Sequence, residues 1–143
     1  MTTLEKGLRR ITSFLDKEKM PYMVIGGIAN LVWGVPRTTL DIDLTVWAPE
    51  GAQTLFVDAL VRAFKALPED PAGFALDTRV LPLEVEGFRV DIIFGQLPYE
   101  ERAIRRARPV DMGGFSVHVC SPEDLIVHKA LSERAKDLED VRG

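Results

Sequence analysis

From Leu40 to Trp47 apolar and polar residues alternate without a break, and two of the polar ones are aspartates. Such alternation marks a strand whose successive side chains point to opposite faces, with residues two apart roughly 6.5–7 Å from each other. Leu40, Ile42, Leu44 and Val46 then form one apolar face, and Asp41, Asp43, Thr45 and Trp47 the other. A second segment repeats the arrangement, with Phe88, Val90, Ile92 and Phe94 on one face and Arg89, Asp91 and Ile93 on the other. If the two strands are neighbours, three carboxylates converge on one surface.

Close like charges oppose folding, by up to about 1 kcal/mol for a directly opposed pair. A divalent cation reverses that penalty. Mg²⁺ prefers hard oxygen ligands and commonly divides its coordination between carboxylates and substrate phosphates. Two such ions can clamp the attacking and leaving oxygens of a phosphoryl displacement. The competing account is that these acids only solvate the outer face of a half-exposed sheet. Aspartate is disfavoured inside strands, so a pair of them in an apolar strand calls for a reason.

Upstream, Tyr22 to Ile25 reads as a short buried strand that Gly26-Gly27 stops before an apolar helix over residues 28–35. A strand–glycine–helix junction lets backbone N–H groups face an anion such as a triphosphate. It also serves the turn's own geometry. The rest of the chain reads as an amphipathic helix over about residues 3–18, a second over 55–67 and a loop over 68–73. Strands follow over 76–85 and 88–94, then a polar helix from Tyr99 to Arg108 and a strand from Phe115 to Cys120. Ser121-Pro122-Glu123-Asp124 opens a further helix, and a last one begins near Asp137. The order α-β-α-β-α-β-β-α-β-α-α permits an α+β fold, a mixed β-sheet flanked by helices, in one domain over residues 1–143.

Ile25-Gly26-Gly27 through Gly34, Arg37, Thr39 and Asp41-Ile42-Asp43-Leu44 resembles the nucleotidyltransferase fold in its short, polymerase-β-like form. The likeness is greatest to the AbiEii-type toxin group and related small bacterial nucleotidyltransferases. Val90-Asp91-Ile92-Ile93-Phe94 resembles the strand carrying that family's third carboxylate. Ser121-Pro122-Glu123-Asp124-Leu125 through Lys129, with Lys136-Asp137-Leu138-Glu139-Asp140, resembles its downstream helical motif. The likeness covers most of residues 21–142.

The resemblance implies that Asp41 and Asp43 hold the metals and that Asp91 completes the site and accepts the proton of the attacking hydroxyl. It places Gly26 and Gly27 against the triphosphate and Lys129 near a phosphate, with Asp137 orienting that lysine or a nearby group. Arg37 reaches either phosphate or Asp41, and a structural ion pair serves it equally. The implied activity is Mg²⁺-dependent transfer of a nucleotidyl group from an NTP to a macromolecular hydroxyl such as an RNA end, with Mn²⁺ as a substitute metal. Attachment of nucleotide to a protein side chain, by an antitoxin-like enzyme, is the second enzymatic reading. A catalytically silent nucleotide- or partner-binding module is the third. A cognate toxin or antitoxin partner belongs to the same expectation.

The net charge of −4 gives no global attraction to nucleic acid, so contact with RNA needs a local basic patch. Arg102, Arg105 and Arg106 share a helical face by their spacing and form the candidate acceptor surface, with Arg108 close by. The most apolar run, Val24 to Val35, is far short of the roughly 20 residues of a membrane span. A single cysteine, Cys120, excludes an internal disulfide and fits the cytoplasm. Its thiol, His118 and His128 are expected to be structural, and Trp33 and Trp47 to be packing residues.

Overall fold

The structure is a computed structural model and describes residues 3–26, 28–29 and 41–127. Helix α1 (Thr3–Lys17) leads to strand β1 (Tyr22–Ile25), and strand β2 is Ile42–Trp47. Helix α2 (Ala52–Ala63), strand β3 (Lys65–Ala66) and helix α3 (Pro71–Thr78) come next. They precede strands β4 (Val80–Val85) and β5 (Phe88–Gly95), helix α4 (Pro98–Arg105), and strands β6 (Arg108–Asp111) and β7 (Ser116–Val119). Residues 122–127 are helical.

The described strands form one mixed sheet in the order β3-β4-β5-β2-β1-β7-β6. β2 and β5 run parallel in the centre, β1 and β7 are also parallel, and the remaining pairs are antiparallel. The expected α+β architecture, a mixed sheet with helices, is therefore present.

The alternation seen in the sequence sets the central register. Ile42, Leu44 and Val46 pair with Val90, Ile92 and Phe94, and all six are buried completely. Full burial of one such side chain contributes roughly 1.5–3 kcal/mol, so a one-residue slip of this ladder would lose the core face altogether. Across α1, Leu8, Ile11 and Leu15 recur at helical spacing and are likewise buried. The helix ends where Lys19 takes a left-handed backbone, φ 57°, and Met20 N–H donates to the Leu15 carbonyl at 2.8 Å.

Three local expectations are corrected. The helix read over 55–67 spans Ala52–Ala63, because Phe64 turns extended and Lys65–Ala66 pairs with Leu83 and Glu84. The loop and early strand read over 68–79 contain α3: Asp70 Oδ1 accepts from Gly73 N–H at 3.1 Å, and Pro71 sits in the first turn. The helix read from Tyr99 to Arg108 stops at Arg105, and Arg108–Asp111 is an edge strand. An edge tolerates Pro109, whose missing N–H would disrupt a central strand.

Candidate active site

The ladders bring the acidic strands together. Asp43 is the register partner of Asp91 across β2 and β5, and of Ile25 across β1 and β2. Neighbouring strands lie about 4.8 Å apart, so the two carboxyl groups meet side by side on one face. The Asp43 carboxyl is pushed up to about 6, first by burial, then by the charges of Asp91 and Asp41 and by a hydrogen bond with Asp91. The Asp43 carboxyl is thus held above its ordinary range by burial and by the acids beside it.

Gly26, directly after β1, lies against the Asp43 carboxylate. Its φ is +69°, and a Cβ there would stand 2.5 Å from Asp43 Oδ2. Glycine is required on both counts, since the backbone is left-handed and the carboxylate occupies the side-chain space. Residues 28 and 29 are helical, with Ile28 and Ala29 buried in the core.

Asp41 precedes β2 and is exposed, and its charge reaches Asp43. Among the described residues, no group of three or more His, Cys, Asp or Glu side chains is arranged to hold a metal ion. The structure therefore unites Asp43 and Asp91, with Asp41 contributing charge from beside the pair. Gly27, Gly34, Arg37, Thr39, Lys129 and Asp137 lie outside the described residues, as do Trp33 and His128.

Arg89 has a partner that its strand position could have indicated. Two residues before Asp91 on β5, it projects to the same side, and its Nε donates to Asp91 Oδ1 at 3.0 Å. Its charge also lowers the Asp43 carboxyl, in opposition to burial.

The three arginines of the candidate acceptor surface are in different situations. Arg105 is ion-paired to Glu101. It borders a cavity with Asp16, Lys19, Tyr22 and His118, at the end of β1 away from Gly26. Arg106 lies beyond the helix and bonds Asp124 through Nε at 3.2 Å and Nη2 at 2.7 Å. Arg102 is exposed and makes no ion pair among the described residues.

Asp124 was read only as part of a helix start, yet it organises a buried network. It is 3% exposed and also accepts from Tyr99 Oη and Ser121 Oγ, both at 2.8 Å. Burial pushes its carboxyl up, but the hydrogen bonds from Arg106, Tyr99 and Ser121 outweigh that and hold it below the usual carboxylate range. Ser121 caps the helix through Asp124 N–H at 3.2 Å, as its place in the sequence predicts. Cys120 is fully buried and its thiol is pushed up to about 12, first by burial, so it is not a nucleophile at neutral pH. His118 carries no metal-ligand set among the described residues and packs edge-on to Tyr22, ring centroids 5.3 Å apart.

Among the described residues no helix is long and apolar enough to cross a membrane. No protein of curated function matches the sequence. Solved structures with the same fold include a candidate nucleotidyltransferase from Thermotoga maritima, 20% identical, with a TM-score of 0.66 over 94% of this chain and 88% of that one. An antigenic nucleotidyltransferase-like protein from Paracoccidioides brasiliensis matches at 20% identity, TM-score 0.58, covering 91% of this chain and 66% of that one. The antibiotic-resistance factor ANT(2'')-Ia matches at 20% identity and TM-score 0.55, over 88% of this chain and 70% of its own. At these identities the structures show a shared fold. The family model described as a nucleotidyl transferase of unknown function (DUF2204) matches residues 4–143, nearly the whole sequence, and the chain belongs to that family.

Proposed function

We propose that this protein transfers a nucleotidyl group from an NTP to a hydroxyl of a macromolecule, using Mg²⁺, or Mn²⁺ in its place, held by Asp43 and Asp91 with Asp41 alongside. The observation that carries the reading is the Asp43–Asp91 pair, opposed in register, with Asp43 half-buried and backed by Gly26. The donor set fits the metal. It is made of hard carboxylate oxygens, and Mg²⁺ ordinarily takes only one or two carboxylates, with substrate phosphates and water completing its shell. When bound, the metal would polarise the α-phosphate and offset the charge of the departing pyrophosphate.

The remaining work belongs to the chain. As the acceptor oxygen bonds to the α-phosphorus and the bond to pyrophosphate breaks, Asp91 receives the hydroxyl proton. The backbone at Gly26 and Gly27 faces the triphosphate. Arg37 and Lys129 meet its phosphates, and Asp137 orients Lys129. These last assignments rest on the motif resemblance.

The same resemblance, through the segment opening at Ser121, supports an AbiEii-like role: a toxin-type enzyme with a cognate antitoxin, acting in the cytoplasm on an RNA end. The family match over residues 4–143 supports treating the sequence as one nucleotidyltransferase domain. The test offers each of four α-labelled NTPs, with Mg²⁺ or Mn²⁺, to total RNA and to candidate partner proteins. Label on RNA supports the reading, and label on protein alone moves it to side-chain modification. No label with any NTP, metal or acceptor contradicts transfer.

A further inference from the structure

Arg89 is the outer, more exposed partner of the ion pair with Asp91. Its side chain is 52% exposed, while that of Asp91 is 20% exposed, so the guanidinium lies on the open side of the carboxylate it holds. The contact is made through Nε, on a short i, i+2 step of one strand. A single-pronged, half-exposed ion pair is far weaker than a bidentate one held in the interior. Across β4 and β5 the register partner of Arg89 is Glu84, which Lys65 holds at 3.4 Å. A second carboxylate is therefore within reach of the same arm.

Resting on the metal site proposed above, we propose that Arg89 is a displaceable counter-ion. It neutralises Asp91 in the absence of a divalent cation and must release that carboxylate before the metal takes it, so it sets the metal affinity of the site. Two effects of like sign follow. The metal competes with the Asp91–Arg89 hydrogen bond, and the guanidinium's charge repels any cation approaching the pair. A fixed positive charge also keeps the acid pair compatible with folding, because it offsets the repulsion between Asp43 and Asp91. Glu84 then offers the displaced guanidinium a carboxylate on the same face of the sheet.

The experiment is equilibrium Mn²⁺ binding at low ionic strength to the wild-type chain and to Arg89→Ala, Arg89→Lys and Asp43→Asn, read without nucleotide. Arg89→Ala should bind Mn²⁺ roughly 3- to 10-fold more tightly than wild type, and the gain should shrink as salt screens the charges. Arg89→Lys, which keeps the charge, should stay near wild type. Equal or weaker binding in Arg89→Ala, with wild-type binding intact and lost in Asp43→Asn, would overturn the counter-ion role and leave the metal site standing. Mn²⁺ binding that is undiminished in Asp43→Asn, or absent from both wild type and Arg89→Ala, would overturn the metal site and this inference with it.

Discussion

Gly26 lies with its α-carbon against the carboxylate of Asp43, so close that a Cβ on it would stand 2.5 Å from Oδ2. The Asp43 backbone is fixed by ladders on both sides, to Ile25 and to Asp91, so relief would require the carboxylate to rotate away from its place beside Asp91. Gly26→Ala should therefore destabilise the protein by about 1–3 kcal/mol, combining left-handed strain with the clash. It should also weaken divalent-metal binding. Chemical denaturation with parallel Mn²⁺ titration checks both. An alanine variant with wild-type stability and affinity would remove Gly26 from the site.

The acid pair makes metal-free stability depend on pH. The folded-state Asp43 carboxyl is raised to about 6 from its ordinary value of 3.8, so the fold binds a proton more tightly than the unfolded chain does. Its contribution is fully present below about pH 4 and is lost as pH rises through about 6, a change on the order of 2–3 kcal/mol. With chelator present, wild type should lose stability over that window, and Asp43→Asn should show a flatter profile. Mg²⁺ should restore stability chiefly above pH 6. Parallel profiles for the two proteins would contradict the raised Asp43 carboxyl.

Asp124 has the opposite sign. Its carboxyl is held below the usual range, so its contribution is present above the unfolded value near 4 and is lost as pH falls through the folded one. Arg106→Ala should destabilise the protein at pH 7 by about 1–3 kcal/mol, leaving Tyr99 and Ser121 to hold a nearly buried carboxylate alone. The deficit should shrink below pH 4. Thermal melts across pH 3–7 measure it, and an unchanged midpoint for the variant would show that the network is not structural.

For the acceptor, Arg106 is therefore a poor probe, since its removal disturbs the Asp124 network. Arg102, which has no ion pair among the described residues, is the better one. If an RNA backbone crosses α4, Arg102→Ala should reduce the log–log salt slope of RNA binding by about 0.7. NTP affinity should be unaffected. An unchanged slope would place the acceptor elsewhere on the surface.

Much of this architecture was written in short-range patterns. The alternation of Leu40 to Trp47 and Phe88 to Phe94 predicted both acid-bearing strands and their buried faces, although the described strand begins at Ile42, and pairing the two apolar faces left little freedom in register. The glycine at 26 stood out because a strand cannot turn so sharply into helical backbone without one. What escaped were features decided by tertiary partners. The strand read from residue 76 starts too early, because Asp70 and Pro71 begin a helix that runs to Thr78. The edge strand Arg108–Asp111 was not read, because its pairing with β7 depends on a partner later in the chain. The spread of Arg102, Arg105 and Arg106 could not be read from helical spacing, because the partner of Arg106 is 18 residues away on another helix. Arg89 was visible on the face of Asp91, but only the contact itself gave it a role.

The central claim is that Asp43 and Asp91 carry the chemistry as a metal-binding pair. Single-turnover transfer of an α-labelled nucleotidyl group to the acceptor found in the labelling screen, measured with saturating Mg²⁺, tests it most directly. Asp43→Asn should abolish both transfer and Mg²⁺-dependent thermal stabilisation. Asp91→Asn should slow transfer by about 10²–10⁴-fold while retaining more NTP binding than Asp43→Asn, as expected of a residue that also takes the proton. Near-wild-type transfer by Asp43→Asn would contradict the account.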